Sequence, residues 1–299
     1  FGNAAAGTYR ELVNIADPTA AHSAVNLEYL QANVATKASV SADVSQLQDE
    51  MDTGGTGGVT STHSAGVHPL VGTGKICGLG EIGAGNDATA CGYKANASGA
   101  YSSAFGSGTS SAGTYSSAFG HFASSMGDRS TAFGDASYAS GTLSTAVGAN
   151  SKANPDYSTA LGAESTAGGS NAVAAGFYAS AKGNSSVALG SNTYAIGNYA
   201  VAIGGDSSTA GKNDIAIGGY ASTFKKGGNG GNNIAVGYLS YAANVGDLAI
   251  GYKSSAMGAN AIAAGSNANA PVTVGTVLGA RSTASGLGSN ALGYLSSAS

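Results

Sequence analysis

A pattern of small, apolar and glycine positions recurs along most of the chain with a period of 14 residues. In residues 130–134, Ser-Thr-Ala-Phe-Gly, alanine stands two positions before the glycine and an apolar residue stands one before it. We call this glycine the repeat glycine. It occurs sixteen times at a spacing of 14 residues, except that five additional residues stand between Gly218 and Gly237. The repeat glycines are Gly78, Gly92, Gly106, Gly120, Gly134, Gly148, Gly162, Gly176, Gly190, Gly204, Gly218, Gly237, Gly251, Gly265, Gly279 and Gly293. A fixed short period indicates a solenoid of stacked units, here called coils.

The residues before each repeat glycine predict a short strand with two apolar faces. Side chains in a strand alternate, so the alanine points to one face while its two neighbours point to the other. The neighbour next to the glycine is bulky and apolar in most coils: Phe105, Phe119, Phe133, Val147, Leu161, Leu189, Ile203, Ile217, Val236 and Ile250. Small residues three and five after the glycine, such as Ser137 and Ala139, predict a second strand. We expect its alternate positions, such as Glu164 and Asp206 two after the glycine, to face solvent.

Each coil therefore has two strands and two turns, with glycine at corners where a Cβ atom would clash. The small residues fill a narrow interior, which leaves the bulky apolar side chains of the first strand outside. A continuous apolar stripe is not tolerated on a soluble monomer. We therefore expect identical copies of the chain to cover it, although the repeat does not give their number.

The N-terminal residues lack the repeat and predict a helical segment. If Leu30, Val44 and Met51 occupy position a of a coiled coil, Val40 and Leu47 fall at position d. We assign residues 1–26 to the end of a preceding head and a neck, 27–53 to a short coiled-coil stalk, 54–75 to a glycine-rich linker, and 76–299 to the repeats with an insertion near 224–231.

Composition and charge narrow the functional classes. Charged residues make up 9% of the 299 residues, against about 25% in typical domains. The net charge of −4 gives no basic surface, so we expect no nucleic-acid partner. The sequence has no apolar run long enough for a membrane-spanning helix. It begins without methionine or a signal peptide, and we interpret it as an internal segment of a longer protein.

No constellation of residues predicts catalysis, a metal site or a bound cofactor. Residues 78–83, Gly-Leu-Gly-Glu-Ile-Gly, match a dinucleotide-binding pattern, but they fall in the repeat register and no helix follows them. His63 and His68 are five residues apart beside the glycine-rich linker, where further ligands would be needed for a metal. We interpret them as exposed linker residues, and we predict that the protein is not an enzyme.

The two cysteines, Cys77 and Cys91, occupy the same position in successive coils. Stacked coils bring their backbones to about 5 Å, within the range of a disulfide. We favour two small apolar residues in the buried stripe, with a disulfide as the alternative.

Exposed aromatic side chains are the candidate binding residues. Tyr138, Tyr194 and Tyr241 share one outward position of the repeat, and Phe122, Tyr178 and Tyr220 share another. Aromatic rings with a polar tip are frequent at recognition surfaces. Lys225 and Lys226 open the insertion, which either projects to a binding face or is a tolerated bulge.

The 14-residue Ser-x-Ala-x-Gly repeat over residues 76–299 resembles the YadA-like head of trimeric autotransporter adhesins. Residues 10–16, Arg-Glu-Leu-Val-Asn-Ile-Ala, and 23–27, Ser-Ala-Val-Asn-Leu, resemble the neck that joins such a head to its stalk. The resemblance implies an all-β fold, a homotrimeric left-handed parallel β-roll. It also implies attachment to host matrix or cell-surface molecules and a bacterial outer-membrane anchor outside these residues. Asn33 resembles the stalk asparagines that bind an anion at the trimer axis; the alternative is a surface asparagine.

A second resemblance concerns whether the fibre belongs to a bacterial cell surface or to a bacteriophage. Residues 16–19, Ala-Asp-Pro-Thr, and 28–30, Glu-Tyr-Leu, resemble neck-type segments of bacteriophage tail fibres. Cysteines are also more readily accommodated in a fibre that assembles in a reducing cytosol. We expect an extracellular adhesin segment; the alternatives are a phage tail fibre that binds a host receptor and a purely structural spacer.

Overall fold

The computed structural model describes residues 85–223 and 231–299, together with the backbone of a strand at Lys75–Ile76. The predicted neck, coiled-coil stalk and most of the linker, with Asn33, His63 and His68, lie outside the described residues. So do Cys77 and the insertion with Lys225 and Lys226. Within the described part the chain forms strands and turns, and no helix there is long and apolar enough to cross a membrane.

Two sheets run along opposite sides of the described solenoid. Sheet A contains the strands before the repeat glycines: Lys75–Ile76, Thr89–Cys91, Ser103–Phe105, Ser117–Phe119, Thr131–Phe133, Thr145–Val147, Thr159–Leu161, Val173–Ala175, Val187–Leu189, Val201–Ile203, Ile215–Ile217, Ile234–Val236, Leu248–Ile250, Ile262–Ala264, Thr276–Leu278 and Asn290–Leu292. Sheet B contains two-residue strands: Ser110–Ser111, Ser124–Ser125, Tyr138–Ala139, Lys152–Ala153, Thr166–Ala167, Ser180–Ala181, Tyr194–Ala195, Ser208–Thr209, Tyr241–Ala242, Ser255–Ala256, Asn269–Ala270, Thr283–Ala284 and Ser297–Ala298. Bridges at Ser222 join the two parts of sheet B.

Parallel pairing between successive coils confirms the predicted 14-residue period. Thr145 pairs with Thr159, and Ala146 pairs with Ala160. Across the insertion Ile215 pairs with Ile234, so sheet A continues in register although five extra residues leave the coil there. The predicted parallel solenoid is therefore confirmed over the described residues.

The interior is filled by small side chains, as the sequence predicts. In the coils from Gly92 onward the residue two before the repeat glycine is buried; it is alanine in all but one of them, Ala132 and Ala146 among them, and Val277 in the other. Ser137, the last residue of the turn before the second strand, and Ala139 of that strand are also fully buried. Most of the buried serine and threonine hydroxyls bond to backbone carbonyls; the Ser137 hydroxyl, for example, donates to the Gly134 carbonyl oxygen at 3.1 Å.

The repeat glycine is required by two features of the first turn. At Gly134 φ is +133°, a conformation that L side chains rarely adopt. An added Cβ atom would lie 2.6 Å from the carbonyl oxygen of Gly148 in the next coil. The stacked corners thus approach too closely for any side chain.

One prediction about this turn is wrong. The position two after the repeat glycine was expected on the second strand, but Glu164 and Asp206 lie in the turn with φ of 60° and 58°. The second strand begins only four residues after the glycine, as at Tyr138–Ala139. The reason is that a four-residue turn, closed by the Ser137 amide donating to the Gly134 carbonyl at 3.4 Å, needs a left-handed residue at its third position.

Candidate interaction surfaces

The outer side of sheet A carries an uncharged surface, here called the apolar face, formed by the residues one and three before the repeat glycines from Gly92 onward. The residue one before the glycine is apolar in every one of these coils, and the residue three before it is valine, isoleucine or leucine in seven of them and serine, threonine or asparagine in the others. The rings of Phe105 and Phe119 stack on it at 5.0 Å between centroids. Phe133 is 56% exposed, Ile250 43% and Leu278 48%. Residues of the same chain leave much of this face uncovered, as the repeat predicts.

The three sheet B tyrosines face outward but do not form one site. Tyr138 and Tyr241 are half-buried, and Tyr194 is slightly more exposed. The Tyr138 hydroxyl donates to the sulfur of Met126 at 3.4 Å, whereas the Tyr194 hydroxyl donates to Oδ1 of Asn192 at 2.8 Å. Several coils separate them along the solenoid.

Phe122, Tyr178 and Tyr220 lie in the first turn and are about half exposed. Phe122 packs against the ring of His121 at 4.1 Å, and Tyr178 packs edge-on against Phe177 at 4.4 Å. Each of these aromatic residues belongs to a different coil. They occupy one edge of the solenoid without contacting one another.

Tyr220 belongs to a larger cluster that the sequence analysis missed. Its ring lies 5.8 Å from that of Tyr238 in a T-shaped arrangement, and Tyr238 lies 5.8 Å from Tyr252 with the two planes within 10°. We call these three residues the tyrosine ridge. Aromatic residues recur one position after the repeat glycine, at Tyr238 and Tyr252 among others, and that register could have identified the ridge.

An acidic side chain adjoins the ridge. The negative charge of Asp206 raises the pKa of the Tyr220 hydroxyl above its ordinary value, and a hydrogen bond between the two side chains adds to the effect. Asp206 also accepts a hydrogen bond from Nδ2 of Asn192 at 2.6 Å.

The second turn carries another aromatic group that was not predicted. The rings of Tyr101 and Tyr115 stack at 4.8 Å with planes within 6°, and the Arg129 guanidinium lies 5.9 Å from the Tyr115 centroid. All three residues have left-handed φ values in successive coils. The sequence could have predicted this group, because Tyr101, Tyr115 and Arg129 are spaced by 14 residues and therefore occupy the same position in successive coils.

A buried carboxylate joins the two ends of the insertion, a feature that the sequence analysis also missed. Oδ2 of Asp214 accepts hydrogen bonds from the Thr223 hydroxyl at 2.8 Å and the Gly211 amide at 2.7 Å. Oδ1 accepts one from the Asn233 amide at 3.0 Å. Asp214 is fully buried, and the equivalent residue in most other coils is serine or alanine. Its side chain thus holds residues on both sides of 224–230.

One close pair of titratable side chains lies on the surface of the described coils. His121 Nδ1 and Asp135 Oδ1 lie 2.9 Å apart on the surface. In residues 85–223 and 231–299, no three histidine, cysteine, aspartate or glutamate side chains are grouped as metal ligands would be.

Cys91 ends the strand Thr89–Cys91 and is disulfide-bonded. This favours the disulfide alternative over a buried free thiol. Cys77 lies outside the described residues, so the pairing of Cys77 with Cys91 stays a prediction.

These features define a parallel β-solenoid that exposes apolar side chains on the outer side of sheet A and aromatic side chains at its turns. The model of the YadA head domain repeat matches residues 84–109, 111–137, 139–165, 167–193, 195–221 and 242–268, together more than half of the chain. The chain therefore belongs to the YadA head repeat family, and the resemblance drawn from the sequence is confirmed. A comparison with curated proteins gave no match.

Proposed function

We propose that the chain is a non-enzymatic segment of a homotrimeric adhesin fibre that attaches its bearer to host matrix or cell-surface molecules. The family supports a trimeric autotransporter adhesin-like segment on a bacterial surface. Outer-membrane anchoring through another region and the left-handed sense of the roll belong to the same proposal.

The observation that carries the proposal is the apolar face. Its exposed phenylalanine, isoleucine and leucine side chains run in register along sheet A, and none of its positions between Thr89 and Leu292 carries a charged residue. Burying such side chains is worth about 25 cal/mol per Å² of apolar surface, so copies that share this face gain stability with every coil. Three rolls with sheet A turned toward a common axis would cover the face and leave sheet B outside.

The trimer is tested by placing a charge on the apolar face. Ile203→Asp should abolish the trimer, because three carboxylates would be buried together at the axis. Thr166→Asp adds the same charge to the outward side of sheet B and should leave the trimer intact. Multi-angle light scattering gives the mass and far-UV circular dichroism the fold; a folded wild-type monomer contradicts the proposal.

Attachment is tested separately with the wild-type trimer. Adhesion to immobilised matrix proteins and to cultured cells should exceed that of a trimer carrying Tyr178→Ser and Tyr220→Ser, since exposed aromatic residues dominate many interfaces. A stable trimer that binds no surface would instead be a spacer.

A further inference from the structure

The tyrosine ridge is the largest group of mutually contacting exposed rings on the first turn in the described part of the chain. Tyr220 is 52% exposed, Tyr238 48% and Tyr252 47%. Because each ring comes from a successive coil, the ridge runs parallel to the stacking direction of the strands.

Polar groups stand at both ends of the ridge. At one end Asp206 occupies the same turn position as Tyr220 in the preceding coil, and its charge raises the pKa of the Tyr220 hydroxyl. The Lys253 ammonium lies 5.2 Å from the centroid of the Tyr252 ring at the other. The opposite charges cancel, so the ridge combines apolar ring surface with a hydrogen-bond acceptor, a donor and three hydroxyls.

This combination selects a class of partner. A polyanion needs several cationic side chains, and the ridge offers only Lys253. A sugar ring presents C–H groups on one face, which pack against aromatic rings, and hydroxyls at its edge, which bond to carboxylate and ammonium groups.

We propose that Asp206, Tyr220, Tyr238, Tyr252 and Lys253 form a binding site for a neutral polysaccharide that lies along the ridge. This inference rests on the proposed function, since it names the class of molecule to which the fibre attaches. The five residues lie in the first turn and not on the apolar face. The proposed trimer contacts, which use the apolar face, therefore do not include them.

The test is affinity electrophoresis of the wild-type protein through gels that contain dextran, mannan or galactan, with heparin as a polyanionic counter-probe. We expect at least one neutral polysaccharide to retard the protein and heparin not to do so. Tyr238→Ser, which removes the central ring, should weaken binding about tenfold or more, because a ring contact contributes on the order of one factor of ten. Tyr238→Phe should retain most of it.

Tyr157→Ser is the matched control. Tyr157 is 56% exposed in the second turn of another coil, so its loss should not change retardation. Light scattering and melting curves verify that the variants stay assembled. The inference is overturned if no neutral polysaccharide binds, if only heparin binds, or if Tyr238→Ser and Tyr157→Ser behave alike. A trimer that adheres to protein-coated surfaces but to no polysaccharide would refute this site and leave the proposed function standing, whereas a folded monomer would refute the proposed function itself.

Discussion

At the scale of single residues, two adjacent glycines of one turn differ in whether the structure has room for a side chain. Gly204 has φ of +117°, and a Cβ atom there would lie 2.7 Å from the carbonyl carbon of Gly218. At Gly205 the nearest atom to an added Cβ is the Ser191 carbonyl oxygen at 3.9 Å. The chemistry of the residue is identical, and only its place in the stack differs.

Gly204→Ala should therefore lower the free energy of unfolding by about 3 kcal/mol, from backbone strain and the clash between coils. Gly205→Ala should be neutral or stabilising by up to about 1 kcal/mol, because it restricts the unfolded chain without a native-state clash. Urea unfolding followed by circular dichroism measures both. Equal effects in the two variants would mean that the corner glycine is not constrained by stacking.

At the scale of the coil, a buried carboxylate bonds to residues on both sides of the insertion. Sheet A pairs Ile215 with Ile234 as though no residues had been added. The Asp214 carboxylate accepts from Thr223 before the insertion and from Asn233 after it. These bonds add to the backbone hydrogen bonds that persist across the insertion, such as the Asn232 amide donating to the Lys212 carbonyl at 2.9 Å.

Asp214→Ala should lower the free energy of unfolding by at least about 3 kcal/mol, since it leaves buried amide and hydroxyl donors without an acceptor. The matched control is Ser144→Ala, at the same position of another coil. The Ser144 hydroxyl is buried and has no hydrogen-bond partner within the described residues, so its removal should cost less than about 0.5 kcal/mol. Similar decreases in melting temperature for the two variants would argue against a special role for the carboxylate.

The same scale explains what the sequence could predict. The strands of sheet A and the buried alanines follow from alternation within one coil, which is visible in residues 130–134. The position of the left-handed turn residues, such as Glu164, could not be predicted from this alternation, because a turn and a short strand have the same polar composition. The tyrosine ridge and the Asp214 contacts depend on which side chains meet between coils. Such contacts require the stacking register and the turn geometry together.

At the scale of the whole solenoid, each coil contacts chiefly the coils before and after it. Stability then approximates a sum of coil and neighbour terms, so removal of one complete coil should be tolerated. Deleting residues 149–162 joins Gly148 to Ala163 and restores the same position after the repeat glycine. Thr145–Val147 can then pair with Val173–Ala175 in the existing register.

Deleting residues 149–163, one residue more, should be far more disruptive. The first turn is a closed four-residue turn and cannot lose a residue, and a shift by one residue would turn interior side chains such as Ser165 outward. We expect the 14-residue deletion to retain the circular dichroism spectrum and assembly of the wild type with a small change in melting temperature. The 15-residue deletion should melt at a markedly lower temperature, since every coil beyond the cut depends on the same alternation. If both deletions melt alike, the stacking register does not control the stability of the solenoid.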